Sequence, residues 1–131
     1  MILLSPSIVR FNKSLIECQN ITNELGCKSV HLDVCPKNSF TNFFHLEEIN
    51  ELELQGFKSS ITMHLFYHPS KLPNLSSLLR NQDYAILHAY PIPNNKGIER
   101  FLNISDNSGY KYGLSVNIRS RITSIEKYLR D

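Results

Sequence analysis

The stretch "SVHLDV", Ser29 to Val34, alternates in a way that only a strand explains. Successive side chains of a strand point to opposite faces, so Val30, Leu32 and Val34 share one face while His31 and Asp33 share the other. The first face is suited to a core. The second carries an imidazole and a carboxylate side by side, and burying an unpaired carboxylate is costly. Asp33 therefore calls for a metal, a proton donor, or solvent at the mouth of a barrel.

Outward from this strand the chain alternates strands with helical patterns. "ILLS" is a short apolar run closed by Pro6. From Phe11 to Leu25 the apolar residues Phe11, Leu15, Ile16, Cys18, Ile21 and Leu25 fall at roughly helical spacing, with Gly26 as the stop. After Val34 and Pro36, "NFFHLEEINELELQG" predicts a second helix ending at Gly56. "SSITMHLFY" predicts the third strand and "HPSKLPNLSSLLRN" a short helix. "YAILHAY" predicts the fourth strand, "PNNKGIERFLNIS" a loop with a short helix, and "YKYGLSVNI" the fifth strand. "SRITSIEKYLRD" predicts a final helix capped by Thr123 or Ser124.

About five strand–helix units joined by short loops imply a parallel sheet and an α/β fold. Two architectures fit: part of a (βα)8 TIM-barrel sheet, or an open flavodoxin-like doubly wound sheet. Ser7 follows strand one, His31 and Asp33 close strand two, His64 closes strand three and His88 closes strand four. Polar groups at the C-terminal ends of successive parallel strands are the pattern of an α/β active site.

Bulk properties narrow the class. The 131 residues form a single domain, 1–131, with 41% hydrophobic and 20% charged residues, the make-up of a soluble globular chain. Fourteen basic and twelve acidic residues leave a net charge of +2, too balanced for a nucleic-acid partner. Cys18, Cys27 and Cys35 are an odd number without zinc-knuckle spacing, which predicts a reducing, cytoplasmic setting. No run has the features of a signal peptide or a membrane span.

"LSPSIV" (Leu4–Val9), "VHLDV" (Val30–Val34), "MHLF" (Met63–Phe66), "HPSKL", "YAILHAY" and "YGLSVN" together resemble the ribulose-phosphate 3-epimerases, which are metal-dependent (βα)8 barrels. Their order and spacing agree over essentially the whole chain. Two features depart from the pattern. Cys35-Pro36-Lys37 stands where the family has Met-Asp-Gly, and Ala89 and Tyr90 follow His88 where the family has a glutamate nearby. The resemblance covers about five of eight units, a full barrel taking about 250 residues. The C-terminal barrel strands, with a second catalytic aspartate and the phosphate-binding loops, have no counterpart.

The resemblance implies epimerisation at C3 of a pentulose 5-phosphate by proton abstraction next to the carbonyl. Such a reaction needs acid/base groups on two faces and an electrophile for the oxygens. By resemblance Asp33 is the base on one face, His31, Asp33 and His64 hold the metal, and Ser7 and His64 contact the substrate. Imidazole with carboxylate suits Zn²⁺, Fe²⁺, Mn²⁺ or Co²⁺. The alternative is a catalytically inactive, epimerase-derived binding or scaffold module. His88 reads as an inner hydrogen-bonded residue, His45 and His68 as surface residues, and Cys35 as a buried filler beside the site or a soft extra ligand. Arg119 and Arg121 read as solvated loop charges within reach of a phosphate. Five strands cut from a barrel expose two sheet edges, which predicts a homo-oligomer or a partner chain covering them.

Overall fold

A computed structural model describes residues 5–8, 13–37, 39, 42–68, 71–72, 74–88 and 95–115. Its strands are β1 (Ser7–Ile8), β2 (Ser29–Cys35), β3 (Phe44–His45), β4 (Ser60–Leu65), β5 (Tyr84–His88) and β6 (Lys111–Ser115). Its α-helices are α1 (Leu15–Glu24), α2 (Glu51–Gln55) and α3 (Asn95–Asp106). All strand pairings are parallel, in the order β1-β2-β4-β5-β6. The fold is α/β, as the alternation predicts.

The order decides between the two architectures. A flavodoxin-like sheet places its first strand between the second and third. Here β1 lies outside β2 and each later long strand adds on the far side, so the sheet is wound in one direction. Right-handed crossovers in such a sheet all return over the same face. No pairing between β1 and β6 closes the sheet among the described residues. The two-residue β3 pairs Val34 and Cys35 of β2. Because β4 occupies the other side of β2 as far as Val34, β3 extends the edge that β1 begins.

Burial follows the same division. Val30, Leu32, Val34, Ile61, Met63, Leu65, Ala85 and Leu87 are at most 1% exposed. They form one core with Leu15 and Cys18 of α1, Leu54 of α2, and Ile98 and Phe101 of α3. Each such Val, Leu, Ile or Met side chain contributes about 1.5–3 kcal/mol by leaving water. On the opposite face His31, Asp33, Thr62, His64, Ile86 and His88 are half-buried.

Local signals set the helix ends. Ser14 caps α1, accepting from the Glu17 N–H while the Glu17 carboxylate accepts from the Ser14 N–H, a reciprocal capping box. Gly26, at φ +65°, ends it in the left-handed conformation that glycine adopts without steric cost. The Cys27 N–H then reaches the Thr22 carbonyl at 3.0 Å and the Gly26 N–H the Asn23 carbonyl at 3.2 Å, a Schellman closure.

Two expected helices differ. The segment Asn42–Gly56 is a short strand, a 3-10 turn (Leu46–Glu48) and the five-residue α2. Ile49 and Asn50 are extended, and Asn50 restarts the helix with its own capping box to Glu53. Between β4 and β5 the described residues form turns, yet Leu75 and Leu79 still enter the core. The short helix expected before strand five is present as the twelve-residue α3, whose Ile98, Phe101 and Ser105 are buried at helical spacing. The predicted C-terminal helix, with Arg119 and Arg121, lies outside the described residues.

At the N-terminal ends of the strands, Arg80 and the fully buried Asp83 form a staple. Asp83 accepts from the Ile61 N–H at 2.8 Å and from Arg80 Nε and Nη2 at 2.9 Å. Arg80 also donates to the carbonyls of Phe57 (2.5 Å) and Ser59 (2.8 Å), and the Asp83 carbonyl accepts from the Lys111 N–H at 2.9 Å. One ion pair thus fixes where β4, β5 and β6 begin, at the end of the sheet away from the site.

Candidate metal centre

Strand pairing assembles the site. In a parallel sheet, residues in register share a face, and Ser7 pairs with His31, Asp33 with His64, and His64 with Ile86. Alternation within β2 places His31 beside Asp33, and registration with β4 brings His64 to the other side of the same carboxylate.

Both imidazoles converge on one oxygen. His31 Nδ1 and His64 Nδ1 each lie 3.4 Å from Asp33 Oδ1. The hydroxyl of Ser7 donates to Asp33 Oδ2 at 3.4 Å. The two rings stand nearly edge-to-face, centroids 5.4 Å apart. One donor atom from each of His31, Asp33 and His64 lies within 4.8 Å of the other two. They are the group of side chains among the described residues that could hold a metal ion.

The donor set fits a divalent transition metal. Two imidazoles and a carboxylate with open positions are the ligands that Zn²⁺ and non-haem Fe²⁺ accept. His64 Nε2 is buried with no hydrogen-bond partner among the described residues. Burial holds the His64 imidazole below its ordinary value, and the charges that His31 and His88 can carry push the same way, against Asp33. A lowered value keeps the ring neutral near neutral pH, the form that can ligate.

The sequence-predicted residues separate into those the fold gathers and those it does not. Ser7, His31, Asp33 and His64 are brought together. His88 stands on the same face, its ring centroid 5.3 Å from that of His64, outside the triad. His68 is exposed, as expected. His45 is not a surface residue: it is 9% exposed and its Nδ1 lies 3.6 Å from Cys35 Sγ, because it sits on β3 against the end of β2. Cys35 is fully buried and is not among the converging donors. Lys37 pairs with Glu48 at 3.7 Å.

Sequence reasoning missed Phe66 and Phe43. The Phe66 ring lies 4.5 Å from that of His64, 4.9 Å from that of His88 and 4.9 Å from that of Phe43. The signal was present, since Thr62, His64 and Phe66 continue the alternation that places His31 beside Asp33. No family model, curated protein or solved structure matches the chain, so the functional reading rests on these residues. No helix among the described residues is long and apolar enough to cross a membrane.

Proposed function

We propose that the chain is an epimerase-like metalloprotein that moves a proton at the carbon next to a carbonyl, with a pentulose 5-phosphate as substrate. The observation that carries this reading is the convergence of His31 and His64 on the Asp33 carboxylate, on the face of a singly wound parallel sheet away from its helices. Polar groups at this position are where α/β barrels carry their chemistry. The motif order Ser7, His31-x-Asp33, His64 supports the same reading.

In this proposal His31, Asp33 and His64 hold Zn²⁺, Fe²⁺, Mn²⁺ or Co²⁺, and the ion supplies Lewis-acid polarisation of the substrate oxygens. Asp33 Oδ2, on the side away from the two imidazoles' shared oxygen, takes the proton from carbon. Ser7 Oγ, which donates to that same oxygen, orients it and meets the substrate oxygens. Burial of His64 keeps its ring a neutral donor.

A second reading is favoured by a specific observation. Asp33 is the sole carboxylate on this face of the described strands, whereas inversion requires a group on each side of the carbon. A binding module that holds a metal and a sugar phosphate without turnover needs no second base. Association with a second copy or a partner chain along the β1 and β6 edges reconciles the two, by adding the missing group.

Deuterium exchange at C3 of ribulose 5-phosphate in D₂O, with added divalent metal, tests the proposal. Exchange with inversion, lost in Asp33→Asn, is the expected result. No exchange with any of the four metals overturns the enzymatic reading for this substrate.

A further inference from the structure

The face that carries the metal ligands also carries large apolar rings that serve no core. Phe66 lies two residues beyond His64 and shares its face. Its ring packs at 4.5 Å against His64 with a 47° tilt, and stacks on His88 at 4.9 Å and 29°. Phe43, in the segment leading to β3, extends this surface at 4.9 Å from Phe66. Ile86, in register with His64, borders it on the β5 side.

These groups differ from the aliphatic side chains of β2 and β4 that fill the core. Neither Phe43, Phe66 nor Ile86 belongs to the core cluster beneath the helices or packs against it. All three are half-buried, on a face that otherwise carries polar and small groups, Ser7, His31, Asp33, Thr62, His64, His88, Gly113 and Ser115, with Tyr84 at its far end. Folding therefore gains less from these rings than from any core phenylalanine. A ligand face laid against them recovers that difference, and aromatic rings favour offset stacking with other flat π systems.

We propose that this wall makes the metal site selective for planar chelators: ligands with two adjacent oxygens and a flat unsaturated frame, the class of hydroxypyrones, catechols and enediols. Phe66, with Phe43 behind it, is the specificity-determining residue. The inference rests on the metal reading of His31, Asp33 and His64. It also deepens the proposed reaction, because removing a proton next to a carbonyl turns a tetrahedral carbon into a flat enediolate. A wall complementary to the flat form binds it better than the substrate, which is the differential binding that accelerates a reaction.

The test is titration calorimetry of the full chain loaded with Zn²⁺, using 3-hydroxy-4-pyranone as the probe with a flat unsaturated ring and glycolate as a chelator with two adjacent oxygens and no such ring. Variants are Phe66→Leu, which keeps apolar bulk and the fold, and Phe66→Ala. Zn²⁺ affinity is measured first on each protein. The expected result is Zn²⁺ affinity within about threefold of wild type, hydroxypyranone binding about tenfold weaker in both variants, and glycolate binding unchanged. An unchanged hydroxypyranone affinity, or an equal loss for both probes, overturns the planar-chelator proposal while the metal site stands. Absence of Zn²⁺ binding to the wild-type chain overturns the metal reading, and this proposal with it.

Discussion

Replacing Asp83 with alanine removes a carboxylate that is fully buried and that holds Arg80 and the Ile61 N–H. Breaking a buried pair from one side costs about 3–5 kcal/mol. Arg80 is 26% exposed and keeps the Phe57 and Ser59 carbonyls, which places this share at the low end. The orphaned Ile61 N–H adds about 1–3 kcal/mol, partly overlapping the first loss, so the expected destabilisation is about 4 kcal/mol. An unfolding entropy of about 2.1 cal/mol/K per residue gives roughly 0.28 kcal/mol/K for 131 residues. The midpoint should therefore fall by about 14 °C. Asp83→Asn keeps an acceptor for Ile61 and should lose about half as much. Thermal and urea unfolding followed by circular dichroism measure both, and Zn²⁺ affinity under native conditions should not change. A loss below about 1 kcal/mol for the alanine variant, or a tenfold change in Zn²⁺ affinity, would refute the staple's placement and role.

Gly26→Ala forces an L side chain to φ +65° and should cost about 1 kcal/mol, read from the urea midpoint. Ser14→Ala removes the α1 capping box and should cost a further ~1 kcal/mol in the same assay. Zn²⁺ at a hundred times its Kd should add about 2.7 kcal/mol to stability, a rise of roughly 10 °C in midpoint that His64→Ala abolishes. For the metal-free chain, His64 makes stability fall with acidification. Burial depresses the folded-state value below the ordinary 6.5, so the unfolded chain takes up the proton first. Stability from this group is complete above about pH 6.5 and is lost as pH falls through the folded-state value. Urea midpoints between pH 7.5 and 5 should show that slope, reduced in His64→Gln.

Much of the architecture is legible in the sequence because β2, β4 and β5 carry alternation that no helix shares. Val30, Leu32 and Val34, then Ile61, Met63 and Leu65, mark the core face of their strands, and the same alternation puts His31 and Asp33 together. Strand order is not legible: only the pairing of β1 outside β2 separates the singly wound sheet from a flavodoxin-like one. The misread helix over Asn42–Gly56 has apolar residues at helical intervals, but tertiary pairing of Phe44 and His45 with β2 outweighs that weak propensity. Its restart was visible in the Asn50-x-x-Glu53 capping signal. Likewise Leu75 and Leu79 reach the core from turns, since burial needs only that the side chains arrive.

For the site, the sequence places His31 and Asp33 on one face, but the approach of His64 depends on the register between β2 and β4. A slip of one residue would turn every side chain of β4 to the other face. The Asp33–His64 pairing is therefore the structural fact on which the metal reading stands. His45 was misplaced for the complementary reason, since its burial depends on a two-residue pairing that local pattern does not encode.

The most direct measurement is the Zn²⁺ content and affinity of the purified full chain, compared with Asp33→Asn and a His31→Ala/His64→Ala double variant. One tightly held Zn²⁺ per wild-type chain is expected, markedly weakened by Asp33→Asn and lost in the double variant, with all three proteins folded. No Zn²⁺ in the wild type, or equal binding by the double variant, would contradict it.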